Sequence, residues 1–163
     1  MDGMETAVNR VEKAIENNEL IWIHGDYDVD GTSSTAMMLH FLTGLGARAD
    51  YYIPNRLDEG FGFTQQSVDR AVLVEAKVII TVDVGVTATR AVDYANSKGI
   101  DVIICDHHQA AEELPNALAI LDPIKPGCNY PFKDLAACGV AFKLISAICD
   151  RRGEPERAHQ YFD

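Results

Sequence analysis

The chain has 163 residues, of which 47% are hydrophobic and 24% charged, as in a folded globular domain with one core. Its net charge of −11 excludes a broad basic surface for nucleic acid, so any such surface has to be local or lie on another domain. The four cysteines form no CxxC pair, and no apolar run approaches the roughly 18 residues of a membrane span. We therefore expect a cytoplasmic protein without a structural zinc site or disulfides, and buried free thiols at Cys105 and Cys149.

Short runs rich in Val, Ile and Tyr alternate along the chain with amphipathic stretches. The predicted strands are Leu20–His24, Ala49–Ile53, Val78–Val82, Val102–Cys105 and Ala117–Leu121. The predicted helices are Thr6–Asn17, Ser34–Leu45, Gln65–Glu75, Thr87–Lys98 and Gly139–Arg151, with Thr64 as a candidate cap of the third. This alternation predicts an α/β fold: an open, mostly parallel five-stranded sheet with helices on both faces. The binding crevice of such a sheet lies at the carboxyl ends of its strands.

The first predicted strand runs into the sequence HGDYDVDG, which begins at His24. In an extended chain, His24, Asp28 and Asp30 would share one face, because alternate residues point the same way, and Asp26 would lie on the same side unless the chain turns. Gly31 would let the chain turn closely into the next helix. Carboxylates gathered in one place repel one another and require protons, cationic side chains or bound cations. Divalent cations accept carboxylate oxygens, and Mn²⁺-like ions also accept imidazole. The alternative is an acidic turn on the surface. The sequence argues against a calcium-binding EF-hand, because it lacks the ligand glutamate that this motif requires.

Two further strands end in residues that can carry chemistry. Asp83 follows the third strand, where it is as consistent with a helix cap as with a metal ligand. The fourth strand ends in Asp106, His107 and His108, and two adjacent histidines beside an aspartate are uncommon. Because neighbouring residues of a strand point in opposite directions, we expect one histidine to bind metal and the other to contact substrate. Asp106 would then orient an imidazole.

The three strand ends together offer five candidate metal ligands, which are His24, Asp28, Asp30, Asp83 and His107. This set suits two divalent cations that share a bridging carboxylate. Such a pair activates water and clamps a phosphoryl group, so the predicted reaction is hydrolysis of a phosphoester or phosphoanhydride. A receiver-like or nucleotide-binding module is an alternative, but it leaves the histidine pair unexplained, and the sequence has neither a P-loop nor a G-x-G-x-x-G pattern.

These residues resemble the DHH phosphoesterase family, whose name-giving motif stands here as Asp106, His107 and His108. Two further stretches, IPNRLDEGFG from Ile53 and YPFKDLAACGVAFKL from Tyr130, are similar to the RecJ-like exonucleases of that family. The resemblance spans roughly Thr6 to Arg151. It implies hydrolysis of single-stranded DNA from the 5′ end to nucleotides, in DNA repair and recombination, with two Mn²⁺ or Mg²⁺ ions. It also allows a helicase or a single-strand-binding protein as a partner.

The resemblance implies a role for each site residue. The metal ligands would be His24, Asp28, Asp30, a bridging Asp83, and His107. His108 would contact the scissile phosphate, and Asp26 and Asp106 would support the catalytic groups. Arg56 would contact the DNA backbone, which suits a guanidinium, although a solvated loop charge explains it equally well. At Gly139, helix N–H groups would bind a phosphate, or a closely packed helix would require the glycine.

Two alternatives within the family stay open at the level of sequence. One is a relative that hydrolyses small substrates such as oligoribonucleotides, cyclic dinucleotides or pyrophosphate. The other is a non-catalytic scaffold, against which the intact ligand set counts. The family's fourth metal-binding aspartate and second, substrate-binding domain have no counterpart in the sequence. We therefore expect residues 1–163 to be a single catalytic domain truncated at its C-terminus, with weak or no activity alone.

Overall fold

The computed structural model of the protein describes residues 1–55 and 62–161. Its strands are β1 (Ile21–Gly25), β2 (Ala49–Tyr52), β3 (Val78–Val82), β4 (Asp101–Cys105) and β5 (Ala119–Leu121). Its helices are α1 (Met4–Glu16), α2 (Val29–Gly44), α3 (Gln65–Leu73), α4 (Thr89–Ser97) and α5 (Ala137–Arg151), followed by a 3₁₀ helix, Pro155–Tyr161. Within these described ranges, none of the helices is long and apolar enough to cross a membrane.

The five strands form one sheet in the order β2-β1-β3-β4-β5, and every pair is parallel. The predicted fold class is thereby confirmed. After β1 the chain moves outward to β2, and it then returns to place β3 on the other side of β1. The connections leaving β1 and β3 therefore diverge, and a crevice opens at the carboxyl ends of these two strands.

Alternate residues of each strand enter two separate apolar cores. Ile21 and Ile23 belong to the core shared with α1, α2 and α5, whereas Trp22 and Ile79 belong to the core shared with α3 and α4. Each fully buried isoleucine stabilises the fold by about 1.5–3 kcal/mol, so the two layers hold the sheet from both faces. Cys105 and Cys149 are buried free thiols, as expected, and both lie in the first core.

Most predicted elements begin within two residues of the observed ones, but α2 is an exception. It begins at Val29 instead of Ser34, because the Asp28 carboxylate accepts a hydrogen bond from the Gly31 N–H at 2.9 Å and caps the helix early. The prediction relied on the apolar periodicity of the helix, which starts only after this first turn. The cap at Thr64 is confirmed, since its hydroxyl accepts from the Ser67 N–H.

Candidate metal centre at the carboxyl edge of the sheet

The β1–α2 connection is a turn and not an extended chain, so the alternation of residues along a strand does not determine where Asp26, Asp28 and Asp30 lie. The strand ends at Gly25, and Asp28 already caps the helix. Gly31 allows the turn to close, because a Cβ there would lie 2.6 Å from the Asp26 carbonyl oxygen. Asp28 and Asp30 therefore reach the edge of the sheet from the first turn of a helix, and His24 reaches it from the strand.

His24 is fully buried one residue before the end of β1, where it is paired in register with Thr81 of β3. Its ring lies 5.1 Å from the Phe63 ring and 5.7 Å from the Tyr52 ring, measured between centroids. The ring therefore packs against the end of β2 and against Phe63, and the register with Thr81 puts His24 at the carboxyl end of β1.

Asp83 follows β3 and lies at the centre of the site. It has a left-handed φ of 64°, which is strained for a residue with a Cβ, and only 2% of it is exposed. Burial raises the pKa of its carboxyl to about 7, and the adjacent Asp28 and Asp30 contribute to the rise. Asp28 lies close enough to influence Asp83, and its own pKa is lowered chiefly by the hydrogen bond from the Gly31 N–H.

Asp30 is fixed from the opposite direction by α5. Its two carboxylate oxygens accept hydrogen bonds from the N–H groups of Ala137 and Cys138, each at 2.7 Å. His107 reaches the same place from the end of β4. Its Nε2 lies 3.3 Å from Asp83 Oδ1 and 3.7 Å from Asp30 Oδ2. Carboxylates and an imidazole from three different strand ends thus converge.

The DHH turn is organised around Asp106, which is almost fully buried. Its Oδ1 accepts from the N–H groups of His107 and His108 and lies 2.7 Å from His108 Nδ1, and its Oδ2 accepts from the Val86 N–H at 2.9 Å. The two histidine rings lie 4.7 Å apart, so the expectation that they point in opposite directions is wrong. The reason is that β4 ends at Cys105, and the chain then turns around the Asp106 carboxylate.

The two histidines nevertheless differ in their surroundings. The side chain of His108 is 58% exposed, compared with 31% for His107. Desolvation lowers the pKa of His108, but the hydrogen bond and charge of Asp106 outweigh it, so the pKa is raised overall. Among the described residues, Asp83, His107 and His108 form a group whose possible ligand atoms all lie within 4.8 Å of one another.

The remaining predicted residues lie in different places. Asp26 accepts a hydrogen bond from the Tyr27 N–H, and its charge contributes to the raised pKa of His108. Arg56 lies outside the described residues. Gly139 lies inside α5, where an added Cβ would be 3.1 Å from Leu135 Cδ2. The packing explanation for this glycine therefore has a direct contact, whereas a phosphate role stays a prediction.

Sequence reasoning missed two features of this edge. Asp122 follows β5, is fully buried, and accepts a hydrogen bond from the Ile124 N–H at 2.8 Å; burial raises the pKa of its carboxyl. Its position after a predicted strand was a usable signal. The second feature is the backbone before and at the start of α5, where the Leu135 carbonyl lies 3.1 Å from His107 Nδ1. A backbone group leaves no such signal in the sequence.

The fold and this site define the chain as a member of the DHH family, whose N-terminal domain matches residues 20–163. Within that family the chain is similar to the single-stranded-DNA-specific exonuclease RecJ. It is 48% identical to the Bacillus subtilis protein over 148 residues, which are 91% of this chain and 19% of that protein. It is 40% identical to the Escherichia coli protein over 149 residues, which are 91% of this chain and 26% of that protein.

Solved structures agree with this assignment. The crystal structure of exonuclease RecJ bound to manganese has a TM-score of 0.86 and 33% identity to the chain, and the match covers 95% of this chain and 39% of that one. RecJ in complex with Mn²⁺ from Thermus thermophilus has a TM-score of 0.80 and 29% identity, with 99% of this chain and 23% of that one covered. The chain thus spans about a fifth to a quarter of the length of the curated relatives named above.

Proposed function

We propose that this chain is the catalytic domain of a metal-dependent exonuclease that hydrolyses single-stranded DNA from its 5′ end. The observation that carries the proposal is the convergence of Asp28, Asp30, Asp83 and His107 at the switch point of the sheet. The similarity to RecJ over 91% of the chain supports DNA as the substrate class. A cytoplasmic location and a helicase or single-strand-binding protein as partner belong to the same proposal.

The residues fit a pair of divalent cations. Asp83 keeps a proton up to a pH of about 7 because it is buried beside two other carboxylates, and this is the environment that a bound cation relieves. The donors are carboxylate oxygens and imidazole nitrogens, which suit Mn²⁺ and, for the oxygens, Mg²⁺. Asp83 would be the ligand shared by both ions. The other ligands would be His24, Asp28, Asp30 and His107.

Residues of the chain that do not bind the cations would contact the phosphate. Bound cations would supply activation of a water molecule and neutralise charge on the phosphoryl group. His108 donates its Nδ1–H to Asp106, since a carboxylate only accepts hydrogen bonds. When the ring is cationic, its Nε2 also carries a proton and can donate it to a phosphate oxygen. The raised pKa of His108 favours that cationic form. Asp26 adds a further negative charge that favours the imidazolium.

The test compares the rates at which the full-length protein hydrolyses two substrates in the presence of Mn²⁺. We expect hydrolysis of a 5′-phosphorylated single strand to exceed that of a dinucleotide, and Asp28→Ala with Asp83→Ala to abolish both. His108→Ala is the matched variant, because it should lose roughly 10²–10⁴-fold in rate and still bind Mn²⁺ in calorimetry. Preference for the dinucleotide would contradict the exonuclease proposal and favour a small-substrate phosphodiesterase.

A further inference from the structure

A short backbone segment, Leu135–Cys138, contacts two of the proposed ligands at once. Ala137 and Cys138 donate their N–H groups to Asp30, and Leu135 presents its carbonyl oxygen to His107. Asp30 precedes its two donors by 107 and 108 residues, and His107 precedes Leu135 by 28. The segment therefore joins ligands from two separate strand ends.

The two bonds to Asp30 fix the plane of its carboxylate. One N–H reaches Oδ2 and the other reaches Oδ1, both at 2.7 Å, and the Cys138 thiol makes a further contact with the same carboxylate. These N–H groups lie in the first turn of α5, where no intrahelical acceptor is available and where the helix dipole favours a negative charge. Each oxygen keeps a second lone pair, and Oδ2 lies 3.7 Å from His107 Nε2.

The bond to His107 fixes its tautomer. A carbonyl oxygen only accepts hydrogen bonds, so the Nδ1 atom that lies 3.1 Å from Leu135 has to carry a proton. In the neutral ring Nε2 then bears a lone pair, and this atom lies 3.3 Å from Asp83 Oδ1. The nitrogen that faces the carboxylates is therefore the one that can ligate a cation.

We propose that Leu135–Cys138 is a backbone clamp that positions Asp30 and His107 toward one cation. The identity of that cation rests on the proposed function, whereas the three hydrogen bonds do not. The clamp acts through the ligands and is a positioning element. It also gives the start of α5 a role other than phosphate binding, because its N–H groups at Ala137 and Cys138 are occupied by Asp30.

Ala137→Pro in the full-length protein tests the clamp, because it deletes one donor to Asp30. Ala137 is the first residue of α5, where proline is well tolerated, and Ala136 has φ −67° and ψ 161°, which suit a residue before proline. We expect calorimetry to show Mn²⁺ affinity roughly 10–100-fold weaker, the range typical of groups that hold a metal ligand. The metal-free melting temperature should change little.

Gln65→Pro is the matched control, since Gln65 is the exposed first residue of α3 and Thr64 before it is also extended. This variant should bind Mn²⁺ as the wild type does. Equal affinity in Ala137→Pro would overturn the clamp alone, whereas absence of Mn²⁺ binding in the wild type would overturn the proposed function together with it.

Ala137 is fully buried, so a measurement without a variant is needed in case proline disturbs folding. Long-range ¹H–¹⁵N spectra of the wild-type imidazoles provide it. The clamp requires the neutral His107 ring to carry its proton on Nδ1, both without metal and with a diamagnetic divalent ion bound. A ring protonated on Nε2 in the metal-free protein would overturn it.

Discussion

Charged groups are compensated differently at the amino edge of the sheet, where the strands begin, and at the carboxyl edge, where the strands end. At the amino edge, the Arg10 guanidinium forms ion pairs with Glu19 at 2.7 Å and with Asp101 at 2.5 Å, and it also reaches the Lys77 carbonyl. At the carboxyl edge, the contacts that the described residues make with the carboxyl groups of Asp30 and Asp83 come from backbone N–H groups, imidazoles, the Cys138 thiol and the Asp28 carboxylate.

This difference separates charge that serves folding from charge that serves binding. At the amino edge, the guanidinium of Arg10 compensates the charges of Glu19 and Asp101 within the chain. The carboxyl edge keeps Asp83 protonated up to a pH of about 7, because this carboxyl is itself buried and lies beside the carboxylates of Asp28 and Asp30. A cation from solution can remove that penalty, so the site trades stability of the metal-free protein for affinity.

The largest expected effect comes from Asp83→Asn, which removes the central charge of the carboxyl edge. We expect Mn²⁺ affinity to fall by more than roughly 100-fold, above the range for groups that only hold a ligand. The metal-free protein should keep or gain stability at pH 8, because the buried charge is gone. Calorimetry and urea unfolding measure the two quantities. Asp101→Asn is the control at the other edge and should leave Mn²⁺ affinity unchanged.

A smaller effect with the opposite pattern is expected for Arg10→Met. The variant leaves Glu19 and Asp101 without their cation, and the Arg10 side chain is only 11% exposed. Breaking a fully buried pair costs about 3–5 kcal/mol, and the partial exposure of Asp101 reduces the expected loss to about 2 kcal/mol. Urea unfolding should show this loss while Mn²⁺ affinity stays the same. An unchanged free energy of unfolding would show that the ion pairs at the amino edge do not stabilise the fold.

The contrast between the edges was only partly readable from the sequence. The strands and the residue types at their ends were predictable, because apolar periodicity marks buried strands and parallel strands end at one edge. Gly31 indicated a turn into the next helix, but the start of that helix at Val29 was not predictable, since the Asp28 cap overrides the apolar pattern. The prediction that His107 and His108 point in opposite directions failed for a similar reason, because the chain turns around the Asp106 carboxylate. Contacts from Leu135 and Ala137 are made by backbone atoms and could not be predicted from residue types.

The smallest expected effect is a pH dependence that reverses when metal is added. The folded pKa of Asp83 is about 7, above its ordinary value of 3.8, so the folded metal-free protein binds a proton more tightly than the unfolded chain. Its stabilising contribution is complete below a pH of about 4 and is lost as the pH rises through 7. Mn²⁺ requires the ionised carboxylate, so between pH 6 and 8 its affinity should rise about tenfold, or about 1.4 kcal/mol.

Thermal unfolding across this pH range, with and without Mn²⁺, separates the two trends. Asp83→Asn should flatten the metal-free dependence that Asp83 causes, whereas Arg10→Met should shift the whole curve downward without changing its slope. Metal-free stability that rose steadily from pH 5 to 8 in the wild type would mean that Asp83 is ionised in the folded protein. The carboxyl edge would then be compensated from within the chain, like the amino edge, and the contrast between them would disappear.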